Sequence, residues 1–214
     1  MEKWILVDTL IILVYSLQHT VLTTKVAVKV FNFIFPENLW NIIYSIISVI
    51  TIFIGFYYWE PSNITIFRLT PGSFTYHIST ILLSLSFFLF FYCFKYTTSF
   101  WQWIGIKQII CMVNKKEMPK YYIVRKEGIK KYVRFPHHFF LMLFFWFHPV
   151  MTYDTLLLAI GSSIYLYLGT YHQDLRGMSF VGSAWSEYRK DTNLLFPNLI
   201  KIYKDLRKDK SYFF

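Results

Sequence analysis

Five apolar blocks, each closed by charged or turn-forming residues, constrain this chain more than any other feature. Crossing the hydrocarbon core of a bilayer takes about 20 apolar helical residues. Residues 4–21 (WILVDTLIILVYSLQHTV), 39–59, 78–98 and 153–173 have that length, and 137–149 is a shorter run that stops at Pro149. A proline there ends a helix, because it lacks an amide donor and clashes with the preceding turn. Charged residues make up only 16% of the chain and hydrophobic ones 55%, whereas a soluble domain carries about 25% charged residues. The expected fold is all-α: a polytopic membrane helix bundle of about five spans with a C-terminal helical hairpin, 137–149 and 153–173. No second compositional regime of domain size is present, so residues 1–197 read as one membrane domain and 198–214 as a charged tail that forms a surface helix.

Charge sets the expected topology. The formal net charge is +10, and the Lys and Arg residues gather between Lys95 and Arg134 and between Arg176 and Lys210. Both clusters flank apolar blocks, as cytoplasmic loops do under the positive-inside rule, and they suit anionic lipid headgroups. A nucleic-acid partner would need a soluble basic face, which the pattern does not supply. The loop 95–134 and the C-terminus are therefore expected in the cytoplasm and the N-terminus outside. Cys93 and Cys111 form neither a disulfide framework nor a metal pair. Asn63 opens a glycosylation sequon by pattern. No removable signal peptide is read at the N-terminus, and the oligomeric state is left open.

The chemistry concentrates where the hairpin meets the cytoplasmic surface. VRFPHHFF, residues 133–140, places Arg134, His137 and His138 at the entry of the hairpin, and YHQDLRG, residues 171–177, returns Asp174 to the same level. WSEYRKD, residues 185–191, lies just beyond and can close over them. A lone arginine at a helix end often only reaches for headgroups. Two histidines with a returning carboxylate point instead to a site, since ionisable groups within membranes are costly and usually functional. Elsewhere, Asp8 reads as a structural hydrogen-bond partner, His148 as interfacial and His77 as a loop residue. Lys130 and Lys131 read as positive-inside charge that could touch a cofactor's ribose edge.

LVDTLIILVYSLQHTVLTTK, FWQWIGIKQ, GIKKYVRFPHHF, FWFHPVMT and VGSAWSEYRKDTNLLFP occur in that order. The set resembles the membrane methyltransferases of the methanethiol S-methyltransferase kind, within the wider isoprenylcysteine carboxyl methyltransferase superfamily. The resemblance runs from Val7 to Pro197. It implies an S-adenosylmethionine site at the cytoplasmic end of the hairpin, where the family carries Val-Arg-His-Pro, a tyrosine and a glycine, and later a Glu-Glu pair. Arg134 and Pro136 match that pattern, while Phe135 stands at the histidine, His138 at the tyrosine and Phe140 at the glycine. Gln173 and Asp174 occupy the Glu-Glu positions, Gly182, Tyr188 and Pro197 match, and Trp185 stands for a tyrosine. Gln18 and His19 match a Gln-His pair, and one N-terminal helix of the family has no counterpart.

What the resemblance implies can be written as chemistry. S-Adenosylmethionine presents a carboxylate that Arg134 suits through a bidentate bond, and an ammonium or ribose hydroxyl that Asp174 suits. Pro136, His137, Gln173 and Tyr188 complete the expected cofactor site, with no metal. His138 and Asp174 are the expected catalytic pair, His138 taking the proton of the acceptor. His19 and Trp146 are expected to line the substrate side, where aromatic rings near 139–147 favour a cationic methyl donor. The implied acceptor is a small thiol or another lipophilic nucleophile. Two other readings stay open. One is a haem-binding membrane protein related to carotenoid isomerases, with haem b between His19 and His138 or His172. The other is a non-catalytic membrane scaffold.

Overall fold

The computed structural model describes residues 2–33, 35, 39–117 and 123–210. Part of the expected basic loop (118–122) and the end of the tail (211–214) lie outside the described residues. The chain is mostly helical. Its long helices are α1 (Lys3–Leu22), α3 (Trp40–Tyr58), α4 (Phe74–Tyr92) and α8 (Tyr153–Val181), with α2 (Lys25–Asn32) after α1 and α7 (Pro136–Trp146) before α8. Short helices α5 (Phe100–Trp103) and α6 (Ile106–Val113) fold the basic loop, and α9 (Ser183–Asp191) and α10 (Leu199–Lys210) finish the chain. Local sequence explains several starts. Thr24, Ser73 and Ser99 each accept a backbone N–H from the first turn of the helix that follows, which is the N-cap role these side chains serve. His77 falls inside α4 rather than in a loop, because Ser73 starts that helix earlier than the apolar block suggests.

The helices stand in a row, α3–α1–α8–α7–α4, each touching its neighbour. Close approach within the row depends on small residues. A Cβ on Gly55 would meet Ile11 at 2.9 Å, and one on Gly161 would meet Ile12 at 3.0 Å. Apolar side chains such as Leu13, Leu17, Phe53 and Phe88 point outward and are exposed, the reverse of a soluble protein's surface. Among the described residues two helices, Lys3–Leu22 and the Phe74–Lys95 segment, are long and apolar enough to cross a membrane.

The hairpin is not two helices of equal length. α7 has 11 residues, about 16 Å of helix, which cannot cross a core of about 30 Å. It gives way at Phe147, ahead of Pro149, and the chain continues as a strand, β2 (Val150–Thr152). β2 pairs antiparallel with β1 (Thr65–Arg68) from the α3–α4 connection, in the register Thr65↔Thr152, Phe67↔Met151 and Arg68↔Val150. The Leu69 N–H reaches the Pro149 carbonyl at 2.9 Å, and Ser79 Oγ reaches the Phe147 carbonyl at 2.9 Å. The backbone freed by the end of α7 is thereby satisfied, as an apolar setting demands. The chain is consistent with the all-α expectation, and a small two-stranded sheet completes the path that α7 begins.

The same end of the row is clasped by polar contacts. Asp8, fully buried, accepts the Glu60 N–H at 3.0 Å. Asp154 accepts Ser62 Oγ at 2.6 Å and Trp59 Nε1 at 3.2 Å, beside a capping box formed by Thr152 and Thr155. α8 is 29 residues long, about 43 Å. Its last turns run past the expected span and carry Asp174 to the opposite end of the molecule from this clasp.

Candidate functional site

That opposite end is where the 133–135 segment, the start of α7, the last third of α8 and α9 meet. Arg134 comes from an extended segment stitched to the tail. Val133 bridges Asn193, the Arg134 N–H donates to the Asn193 carbonyl at 2.9 Å, and the Phe135 N–H donates to the Leu194 carbonyl at 3.3 Å. With its backbone fixed, Arg134 directs its guanidinium at Asp174. Nε donates to Oδ1 at 2.8 Å and Nη2 to Oδ2 at 3.3 Å. The residues are 6% and 1% exposed. Burial pulls the arginine's pKa down, and the adjoining carboxylate opposes that shift.

α9 closes over the pair. Trp185 Nε1 donates to Asp174 Oδ1 at 2.9 Å, and Arg189 Nε lies 3.0 Å from Oδ2. Arg134 Nη1 donates to the Thr192 and Arg189 carbonyls. Asp174 therefore holds two arginines and an indole, and Arg134 spends its carboxylate-binding edge on Asp174. The pair that the sequence brings to one level meets directly, with no polar chamber between its members. A buried pair of this kind contributes little net stability but costs much to break, since one partner would be left as an isolated buried charge.

Two glycines permit this closure. A Cβ on Gly177 would lie 2.4 Å from the Trp185 ring, so only glycine lets the indole cross α8 there. Gly182, at φ +70°, makes the turn between α8 and α9 in a region that other residues rarely enter. Phe135, Trp185 and Tyr188 form the apolar cluster beneath. Tyr188 is fully buried and donates its hydroxyl to the Lys130 carbonyl at 2.9 Å, and burial raises its pKa.

The two histidines follow at the first turn of α7, which opens with buried Pro136 at its first position, where a missing N–H costs nothing. His138 Nδ1 lies 2.8 Å from Thr170 Oγ1. The Thr170 hydroxyl donates to the Leu166 carbonyl one turn back. A hydroxyl has one proton, so Thr170 must accept from His138 Nδ1–H, and His138 Nε2 is left with its lone pair. The His137 ring lies 4.2 Å from that of His138, centroid to centroid and tilted by 50°, and its buried Nδ1 has no partner among the described residues. Gln18 on α1 buries both amide atoms without a partner. Unpaired buried polar atoms are rare, and these two side chains keep hydrogen-bonding capacity that the described residues do not use.

The remaining expected residues scatter. Gln173 is half-buried on α8. His19 is held on both ring nitrogens, by the Tyr44 and Tyr165 hydroxyls, and lies within electrostatic reach of His138. Both of its nitrogens are engaged, and His172 is exposed, so the structure does not present these histidines as facing ligands with free lone pairs. Trp146 ends α7 and donates to Ser163 Oγ at 2.9 Å. Ser163 precedes Asp174 by 11 residues of α8, about 16 Å, so Trp146 is not part of the Arg134–Asp174 cluster. An open apolar groove of about 320 Å³ runs between α7, α8 and the 195–196 segment, lined by Met142, Ile164, Tyr167 and Phe196 among others.

Three contributors gave weak signals in the sequence. Thr170 precedes Asp174 by one helical turn and shares its face, Arg189 follows Trp185 by the same interval, and Lys130 reads in the sequence as positive-inside charge that could touch a cofactor's ribose edge.

No family model matches the chain, and no solved structure does. Curated proteins do. The methanethiol S-methyltransferase of Pseudomonas deceptionensis is 25% identical over 197 residues, covering 91% of this chain and 73% of the relative. That of Crocosphaera subtropica is 22% identical over 199 residues, covering 90% and 74%. The chain is a distant relative of the methanethiol S-methyltransferases. A third such enzyme, from a Pseudomonas species, is 23% identical over 194 residues, so the likeness extends through the helix row as well as the site.

Proposed function

We propose that the chain is an integral membrane methyltransferase that moves a methyl group from S-adenosylmethionine to a small thiol of the methanethiol type. The observation that carries this reading is similarity to named methanethiol S-methyltransferases over nine-tenths of the chain. The polar convergence at the joint end of α7 and α8 agrees with it. Five crossings follow: α1, α3, α4, the α7–β2 segment and α8. The site-bearing end then lies in the cytoplasm with the basic loop, and the Asp8–Glu60 clasp lies outside.

The residues present fit the cofactor. His137 Nδ1, unpaired and buried, and the apolar shelf of Phe135 and Tyr188 would hold it, with half-buried Gln173 alongside. When bound, S-adenosylmethionine supplies a methyl group on a cationic sulfur, ready for displacement by a thiolate. Asp174 fixes Arg134, Arg189 and Trp185 and so keeps α9 closed over the site, excluding water. His138, held by Thr170 in the Nδ1–H tautomer, takes the thiol proton at Nε2. The apolar groove beside Met142 gives a lipophilic thiol a lateral approach.

The test is a transfer assay on detergent-purified protein with tritium-labelled S-adenosylmethionine and methanethiol. Volatile labelled thioether should form in wild type and fall at least tenfold in His138→Ala. Absence of labelled thioether with methanethiol and with longer alkyl thiols would sink the reading.

A further inference from the structure

Lys130 stands apart from every other lysine described. It is 6% exposed, whereas lysines are almost never buried unless paired. Among the described residues its ammonium makes no ion pair and no hydrogen bond. Its one favourable contact is with the face of the Tyr188 ring, 5.9 Å from Nζ to the centroid, near the outer limit for such an attraction. The charges nearest to it are of the wrong sign or none: Arg125 repels it, and neutral His137 lies within electrostatic reach. His137, within that reach, carries a buried Nδ1 with no partner among the described residues.

The backbone around Lys130 is fixed at both its N–H and its carbonyl. Its N–H donates to the Glu127 carbonyl at 3.1 Å, and its carbonyl accepts the Tyr188 hydroxyl. The lysine is thus anchored from α9, the element that closes over Asp174. Arg134 cannot serve an anion here, since its Nε and Nη2 both hold Asp174.

We infer that Lys130 binds the carboxylate of the cofactor's amino-acid moiety, while Arg134 is a structural strut. This rests on the methyltransferase reading and deepens it. An anion is what the ammonium lacks, and the carboxylate is the anionic group of S-adenosylmethionine. The ammonium of the same moiety is excluded from Lys130 by like charge.

The experiment compares two ligands by equilibrium binding to the full-length protein in detergent at pH 7: S-adenosylhomocysteine, and its decarboxylated analogue S-adenosyl-3-thiopropylamine. Wild type should bind the first at least about tenfold more tightly, the range of a charge-assisted hydrogen bond. Lys130→Met should lose that preference, weakening S-adenosylhomocysteine by about tenfold or more and leaving the analogue within about threefold. Retained binding of the analogue also shows that the variant is folded, and Lys130→Gln should repeat the pattern. Equal affinity of wild type for the two ligands overturns the inference. So does equal weakening of both, or of neither, by the substitutions, even with the methyltransferase reading intact. If wild type binds neither ligand, that reading falls as well.

Discussion

Asp174 is the residue on which the site turns, because one carboxylate anchors Arg134, Arg189 and Trp185. Asp174→Asn should lower stability by about 3–5 kcal/mol, the cost of leaving buried charge unpaired, read as a drop in the thermal midpoint in detergent. Thr170→Val keeps the shape of the side chain but removes the acceptor for His138 Nδ1–H. The turnover rate should fall by about tenfold or more with little change in KM, and the pH profile of the rate should change. A role confined to packing would leave that profile unmoved. Lys130 supplies a pH test of the apo protein. Burial, with Arg125 adding repulsion, lowers its pKa from 10.5 to about 8. Between those values the unfolded chain binds more protons than the folded one, so stability rises with pH. The thermal midpoint of wild type should therefore gain on that of Lys130→Met as pH increases from about 8 to about 10.5.

At the scale of elements, apolar length and punctuation in the sequence mark α1, α3, α4 and the start of α8, and Pro149 marks the end of α7. The β1–β2 pair is invisible there, because strands of four and three residues carry no period to read and their pairing is non-local. α8 also runs eight residues beyond the apolar block, since polar residues in its last turns look like the start of a tail while in fact facing α9. The meeting of Arg134 with Asp174 is legible from the hairpin geometry. The indole on Asp174 and the hydroxyl under His138 are not, as each depends on a partner's rotamer. The α8–α9 joint makes its own prediction. Gly177→Ala places a methyl group against Trp185, so it should cost about 1–3 kcal/mol by overpacking and reduce activity. The readout is tryptophan fluorescence, shifted to the red as the indole leaves its buried bond.

The whole molecule reads as a row of helices with two unlike ends, one a structural clasp around Asp8 and Asp154, the other a closed polar site. Single cysteines placed at exposed positions 63 and 131 should react with an impermeant maleimide from opposite faces of oriented vesicles, the first from outside and the second from the cytoplasmic side. The native Cys93 and Cys111 are buried and give a low background. The proposed chemistry requires the cofactor to enter the end where α7, α8 and α9 meet. The most direct measurement is calorimetric titration of S-adenosylmethionine into the purified protein, alone and with His137→Phe. Binding should be saturable at one site per chain and weakened by that substitution. A flat titration at millimolar ligand in wild type would contradict it.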